Sequence, residues 1–71
     1  MAERFGDLLR KHRRKAGKTL GDIAKLLGVS VVFLSDVERG NRRPLSNDRI
    51  VKIASFLGQD PTPLIEAADR E

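Results

Sequence analysis

Apolar residues recur along this chain at intervals of three and four positions, the spacing that places side chains on one face of an α-helix. The clearest such segment carries the apolar face Leu20, Ile23, Ala24 and Leu27. Thr19 precedes it as a good N-cap residue, and Asp22 can complement the free amides of the first turn. Gly28 follows at the position where a helix end often needs a positive φ. The pattern predicts a short helix over residues 20–27.

A second short helix is predicted to follow almost at once. Ser30 is its N-cap residue, Leu34 and Val37 point inward, and Gly40 ends it. The small side chain of Ala24 lets this helix cross close to the previous one. Two helices of this size, joined by a turn of about three to four residues, form a helix-turn-helix. The alternative interpretation is a generic helical hairpin.

Two longer helices are predicted on either side of this motif. Helix 1 begins at Glu3 or Arg4 and runs to about residue 16, where Gly17 ends it; helix 4 follows an N-cap at Ser46 and runs to residue 57. Their inward faces are Phe5, Leu8 and Leu9, with His12 beside them, and Ile50, Ile53, Ala54 and Leu57. The segment 41–45 is predicted to be a polar loop, because Pro44 disfavours a helix.

A short fifth helix is predicted after Asp60, which acts as N-cap residue before Pro61 at the first helical position. Residues 1–71 then form one compact all-α domain of five helices, with frayed ends at about residues 1–4 and 69–71. The predicted core comes from the first four helices and the turn: Phe5, Leu8, Leu9, Leu20, Ile23, Ala24, Leu27, Val29, Leu34, Val37, Ile50, Ile53, Ala54 and Leu57.

Composition narrows the classes of function. The 71 residues suffice for one domain with a modest core, and the absence of cysteine excludes a disulfide framework. His12 is the only histidine, so no metal site or other cofactor is expected. The serines have no histidine at a credible base position, and we expect no enzyme. With no apolar run near the ~18 residues that cross a membrane and no signal peptide, a cytoplasmic protein is expected.

The charge is unevenly distributed. The net charge is +4; residues 1–18 hold seven Lys/Arg against two acids, whereas residues 60–71 hold one Arg against four acids. A basic first half suits a polyanion such as DNA. The order of charges along helix 1 also complements its macrodipole, so charge alone leaves an ordinary solvated surface open. No Trp or Tyr is present, which disfavours an aromatic platform for single strands.

Motifs spread over most of the chain, from Phe5 to Ile65, resemble those of the lambda-repressor/Cro-like helix-turn-helix proteins, also called the xenobiotic-response-element family. The matching pieces are Phe5-Gly6, Leu9 and Arg13; Gly17 and Thr19; Ile23-Ala24 and Leu27-Gly28-Val29-Ser30; Phe33-Leu34-Ser35 and Val37-Glu38-Arg39-Gly40; and Pro44, Ile53-Ala54, Phe56-Leu57-Gly58 and Leu64. Each piece is weak alone, but together, at the family's spacing, they are specific.

The resemblance implies a domain that binds double-stranded DNA with helix 3 in the major groove. Carried over by position, the base-reading residues are Val31, Val32, Ser35, Asp36 and Arg39. The phosphate-binding residues are Thr19, Leu20, Ser30, Asn41, Arg42 and Arg43. Leu20 stands where the family often has Gln, and the two valines stand where Gln, Arg or Ser is common. Valines can touch thymine methyl groups but read no donor–acceptor pattern, so apolar contacts, arginines and DNA shape are expected to dominate readout.

The resemblance also implies two structural roles. Arg13 and Glu38 are expected to pair across helices 1 and 3 as a structural salt bridge; the alternative is two unrelated surface charges. Many members dimerise through the C-terminal helix, which suggests a homodimer interface at Phe56, Leu64, Ile65 and Ala68, with recognition helices about 34 Å apart. The alternative is that these side chains complete the core of the monomer.

The expected function is that of a small dimeric repressor that acts by occupying a promoter, because no second domain for sensing a ligand is seen. The alternative is a protein-interaction module, for example an antitoxin-like subunit that binds a partner protein through the surface of Val31, Val32 and Phe33.

Overall fold

The computed structural model describes residues 3–71 and contains five helices. They are α1 (Phe5–Lys15), α2 (Leu20–Leu27), α3 (Val31–Glu38), α4 (Asn47–Leu57) and α5 (Thr62–Asp69). The predicted all-α fold is confirmed. Residues 1 and 2, part of the predicted frayed N-terminus, lie outside the described residues. Within residues 3–71, none of the helices has the length and apolar composition that crossing a bilayer requires.

The ends of α2 and α3 are set by local hydrogen bonds. Thr19 Oγ1 accepts from the Asp22 amide at 3.1 Å, and Asp22 Oδ2 accepts from the Thr19 amide at 2.9 Å, a reciprocal capping box. The bond from the Thr19 amide holds the pKa of Asp22 below its ordinary value. Ser30 Oγ accepts from the Phe33 amide at 3.0 Å, and Gly28 ends α2 with φ 69°. The turn is therefore built as the residue types predict.

Two helix starts differ from the prediction. Ser46 stands in the N-cap position of α4, but its side chain makes no capping hydrogen bond, although its backbone is extended as at the capped positions Thr19 and Ser30. Helix α5 begins at Thr62, so Pro61 is the N-cap residue and not the first helical residue. Asp60 Oδ1 nevertheless accepts from the Thr62 amide at 2.9 Å, and this bond lowers the pKa of Asp60.

The C-terminal segment is tied to the start of α1. Helix α5 includes Asp69, one residue into the segment predicted to fray. Glu71 Oε2 accepts from the Phe5 amide at 2.6 Å, and Arg70 donates to the Glu3 carbonyl at 3.2 Å. Arg4 makes no side-chain cap on α1, so the Glu71 carboxylate satisfies an amide that α1 itself leaves unpaired.

The core differs from the predicted set at seven positions. Three residues outside the predicted set, Leu45, Leu64 and Ala67, are buried. Leu45 follows Pro44 in the segment predicted to be polar, and its side chain turns inward to the core cluster. Four predicted members are only partly buried and pack around the cluster: Leu8, Leu20, Leu27 and Val29. Helix α5 packs on α1 and α4, so its apolar side chains close the core that the first four helices leave open.

Helix α1 crosses the C-terminal end of α3 at Gly6, which is buried. A Cβ atom at Gly6 would lie 2.5 Å from the Glu38 carbonyl oxygen and 2.6 Å from that of Val37. Only glycine permits this approach. The crossing fixes the orientation of α3 relative to the rest of the domain.

Candidate nucleic-acid interface

In the pair of helices α2 and α3, the most exposed apolar side chains lie on the outer face of α3. Val31 is 46% exposed and Val32 is 71% exposed, whereas Leu34 and Val37 on the opposite face are 1% exposed. The polar residues assigned to base reading share the outer face, because Ser35, Asp36 and Arg39 follow Val32 at i+3, i+4 and i+7. The structure thus places four of the five predicted base-reading residues on one side of α3, and the fifth, Arg39, at its C-cap.

Helix α2 holds α3 from behind. Ala24 is 5% exposed between them, as its small side chain predicts, and the Val29 amide donates to the Ala24 carbonyl at 3.0 Å through the turn. Leu20 is partly buried against the core, so only its backbone amide is available to a ligand. The hydroxyl oxygens of Thr19 and Ser30 already accept amide hydrogen bonds, which leaves each hydroxyl proton to be donated.

A basic loop follows α3. Asn41, Arg42 and Arg43, the loop residues predicted to bind phosphate, are exposed there. Arg42 does not project freely: its Nε lies 3.8 Å from Asp36 Oδ2, and its guanidinium carbon lies 5.0 Å from the centroid of the Phe33 ring. One of the predicted phosphate-binding residues therefore touches one of the predicted base-reading residues.

An open groove lies beside this loop and contains residues that the sequence interpretation missed. Its lining is Phe33, Gly40, Asn41, Arg42, Arg43, Pro44 and Glu71. Arg49, in the first turn of α4, places its guanidinium carbon 6.0 Å from the Phe33 centroid. No periodicity in the sequence signals this meeting, since the ring and Arg49 are sixteen positions apart on different helices.

Arg13 and Glu38 are in contact through two hydrogen bonds. Arg13 Nε donates to Glu38 Oε2 at 2.8 Å, and Arg13 Nη2 donates to Glu38 Oε1 at 3.2 Å. The Glu38 side chain is 4% exposed and that of Arg13 is 12% exposed. Arg13 also donates to the Lys18 carbonyl at 3.0 Å. The bidentate geometry and the burial make this pair the charged link between α1 and α3.

A third residue, Arg10, joins the pair. Its Nε lies 3.3 Å from Glu38 Oε1, and its Nη2 donates to the Glu38 carbonyl at 3.4 Å. Arg10 precedes Arg13 by three residues on the same face of α1, a spacing that could have indicated the contact. One buried carboxylate thus holds two arginines at the C-terminal end of α3.

The predicted dimer face is only partly available. Leu64 is 1% exposed and fills the core of its own domain, so its assignment to an interface is wrong. Ile65 and Ala68 are partly buried beside it. Phe56 is 39% exposed, and Lys18 Nζ lies 5.0 Å from its ring centroid. Helix α5 turns Leu64 inward because it packs on α1 and α4.

The helices α2 and α3 are joined by a tight turn, and α1 packs against α3. This arrangement agrees with the comparison to known families. Residues 4–67 match the model of the helix-turn-helix domain family, which is most of the chain. The chain belongs to that family, a class of DNA-binding domain that serves transcription regulation, and its resemblance to Cro/lambda-repressor-like domains is confirmed.

Similar individual proteins carry matching names. The chain is 41% identical over 70 residues to the transcriptional regulator ClgR of Mycobacterium tuberculosis, covering 96% of this chain and 61% of ClgR. It is 46% identical over 43 residues to the uncharacterized HTH-type transcriptional regulator YazB of Bacillus subtilis, covering 61% of this chain and 62% of YazB.

A third similar protein is a long enzyme. The chain is 34% identical over 56 residues to the glutamine–fructose-6-phosphate aminotransferase of Methanocaldococcus jannaschii, covering 79% of this chain and 5% of that protein. The chain thus spans less than two thirds of the length of each of these relatives. A match to 5% of an enzyme carries no argument about aminotransferase chemistry here.

Proposed function

We propose that this domain binds a specific double-stranded DNA site with α3 in the major groove. The observation that carries the proposal is the outer face of α3, where the exposed Val31 and Val32 start a helix whose far end leads into the basic loop 41–43. A helix about 10–12 Å wide fits the major groove, and the flanking arginines then lie beside the phosphate backbone.

The two ends of the motif supply the phosphate contacts in this proposal. The amide of Leu20 lies at the start of α2, where unpaired N–H groups and the positive end of the helix dipole favour an anion. Arg43 and Asn41 flank the other end of α3 and are exposed. Such contacts set the register of the helix on the duplex, and they read no sequence themselves.

The base-reading residues then combine apolar and polar contacts. Val31 and Val32 suit thymine methyl groups, and the Asp36 carboxylate suits the N4 amine of cytosine. Arg39 lies at the far end of the same face, where its guanidinium can reach guanine or a phosphate. With few direct donors to bases, part of the specificity is proposed to come from DNA shape.

Amide chemical-shift mapping by NMR tests the placement of the interface. On addition of a 20-base-pair duplex, we expect the largest shifts at residues 31–39, at the Leu20 amide and at residues 41–43, with the outer face of α5 unchanged. Shifts that map to α5 instead would contradict the proposal. The method also reports whether the domain stays folded, because the core amides of α1 and α4 serve as an internal control.

We further propose that the domain acts as a homodimer and represses transcription by occupying a promoter. Phe56, Ile65 and Ala68 are the remaining candidates for the contact between copies, since Leu64 is committed to the core. A two-fold dimer would set two copies of α3 about 34 Å apart, one turn of DNA. Sedimentation at micromolar concentration decides the assembly: a monomer with and without DNA would refute the dimer. A reporter promoter that is not silenced despite site occupancy would refute the repression.

A second candidate function is supported by the apolar character of the same face. Val32 is 71% exposed and Phe33 is partly exposed beside it, which would suit a protein partner. The substitution Val32→Asp separates the two functions. It should abolish capture of a protein partner, whereas binding to mixed-sequence DNA, which depends on phosphate contacts, should fall by no more than the addition of one negative charge explains.

A further inference from the structure

Phe33, in the lining of the open groove beside α3, has neighbours that the predicted base-reading and phosphate-binding residues only partly account for. Phe33 is partly buried, with one side packed on the core. The rest of its ring has two guanidinium groups beside it, from Arg42 at 5.0 Å and from Arg49 at 6.0 Å. These distances fall within the range in which a cation is attracted by an aromatic ring.

The Phe33 ring holds two positively charged side chains near each other, although their charges repel. Arg42 comes from the loop after α3, and Arg49 comes from the first turn of α4. Flexible arginine side chains lose rotamer freedom when they bind a ligand, and a side chain already held against a ring has less to lose. Asp36 also restrains Arg42, with 3.8 Å between Oδ2 and Nε.

The charge of the groove favours an anion. Arg42, Arg43 and Glu71 line the groove. Arg49 adds a guanidinium group beside the Phe33 ring, and Asp36 adds a carboxylate beside Arg42. The Glu71 carboxylate is already engaged by the Phe5 amide. Planar guanidinium groups match the geometry of phosphate oxygens, and they bind phosphate better than a point charge does.

We propose that Phe33, Arg42 and Arg49 form one binding site for a phosphodiester group of the DNA backbone, in which the ring holds both guanidinium groups and the arginines bind the phosphate. The site rests on the proposed DNA binding and extends the interface from the helix pair to α4. Arg49 is then a phosphate-binding residue, and Phe33 is a positioning residue that acts through the two arginines.

The experiment measures affinity for a labelled mixed-sequence 20-base-pair duplex at several salt concentrations between about 0.05 and 0.2 M. Each phosphate contact contributes about 0.9 to the slope of log K against log salt concentration. Arg49→Gln should reduce the magnitude of the slope by about 0.9 and weaken binding about eightfold at 0.1 M salt. The control Lys11→Gln removes the same charge from an exposed position on α1, and it should leave the slope unchanged.

Phe33→Leu tests the role of the ring, since it keeps every charge and most of the apolar volume. Losing the cation–π contacts should weaken binding about two- to fivefold. Arg49→Lys keeps the charge and should recover part of the affinity that Arg49→Gln loses. Circular dichroism establishes whether each variant is folded. If Phe33→Leu does not fold, the comparison of Arg49→Gln with its control remains the test of the site.

The outcomes separate this site from the proposed function. If the unmodified protein binds the duplex but Arg49→Gln and Lys11→Gln show the same slope, the site is refuted and the DNA-binding function stands. If the unmodified protein binds no duplex at all, both are refuted.

Discussion

The crossing of α1 over α3 leads to a prediction in which the same substitution has opposite effects at two glycines. At Gly6 a new methyl group would stand 2.5 Å from the Glu38 carbonyl oxygen, 2.6 Å from the Val37 carbonyl oxygen and 2.8 Å from the Glu38 carbonyl carbon. Carbon–oxygen contacts of this kind normally lie at about 3.3–3.6 Å. Gly6→Ala therefore requires the two helices to separate by about 1 Å.

The cost follows from what would have to move. The atoms in the way are backbone, so no rotamer change relieves the overlap, and overpacking of this kind costs about 1–3 kcal/mol or more. The better helix propensity of alanine offsets about 0.5–1 kcal/mol. We expect a net loss of about 2 kcal/mol, a large share of the roughly 4–10 kcal/mol available to a domain of this size.

Gly21→Ala is the matched control. Gly21 is exposed in α2, and a Cβ there meets only Thr19 Oγ1 at 3.6 Å, an ordinary contact. The substitution should raise stability by up to about 1 kcal/mol through helix propensity alone. Thermal and urea unfolding followed by circular dichroism compare the two variants. We expect Gly6→Ala to lower Tm by about 8–16 °C. An unchanged or higher Tm would refute the close crossing.

Three further predictions concern single side chains. Glu38→Gln should lower the free energy of unfolding by about 3–5 kcal/mol, because it leaves the buried Arg13 guanidinium without its charged partner. The control Glu66→Gln, at an exposed position of α5, should change the free energy of unfolding by no more than about 0.5 kcal/mol. Equal urea midpoints for the two variants would contradict the role of the pair. Asp22→Asn should be less stable than the unmodified protein at neutral pH, and this difference in stability should close as the pH is lowered. The pKa of Asp22 is lowered in the folded state, so the stability that its carboxylate contributes is present above the unfolded pKa near 3.8. That contribution is lost as the pH falls through the folded pKa. A gap that persists at pH 2 would show that the ionised carboxylate is not its source. His12→Leu should stabilise the domain by about 1 kcal/mol, since the buried His12 Nδ1 has no hydrogen-bond partner among the described residues; a destabilised variant would mean that this atom is satisfied in solution.

Local chemistry explains why so much of the fold could be predicted from the sequence. The Thr19–Asp22 capping box and the Ser30 cap involve residues three apart, and Gly28 adopts the positive φ that its position requires. These signals are readable without knowing where the rest of the chain lies. They suffice to place the helix-turn-helix in register.

Long-range packing explains the errors. Whether Leu64 faces its own core or a second copy depends on how α5 sits on α1, and no local pattern determines that. The prediction of a polar loop is wrong at Leu45 for the same reason, since its burial depends on the path that the chain takes after Pro44. The burial of Ala67 cannot be predicted from the pattern, because a single alanine adds little to a periodic signal.

In the candidate interface, too, the features set by local periodicity can be predicted from the sequence, and the contacts between distant elements cannot. The outer face of α3 follows from helical periodicity once the inward Leu34 and Val37 are known. The meeting of Phe33 with Arg42 and Arg49 joins two helices and a loop, and only the three-dimensional structure brings them together. Residues that act together across elements are the part of a site that sequence patterns leave undetermined.

The most direct test of sequence-specific DNA binding is selection from a random double-stranded pool at about 0.15 M salt, where backbone-only binding is weak. We predict enrichment of one sequence, with two half-sites about one DNA turn apart if the domain binds as a dimer. Changing Asp36 to Asn should then alter the preference at one base pair of each half-site. A pool that stays random, with binding that disappears as salt rises, would contradict sequence-specific recognition and favour a protein partner for the face of α3.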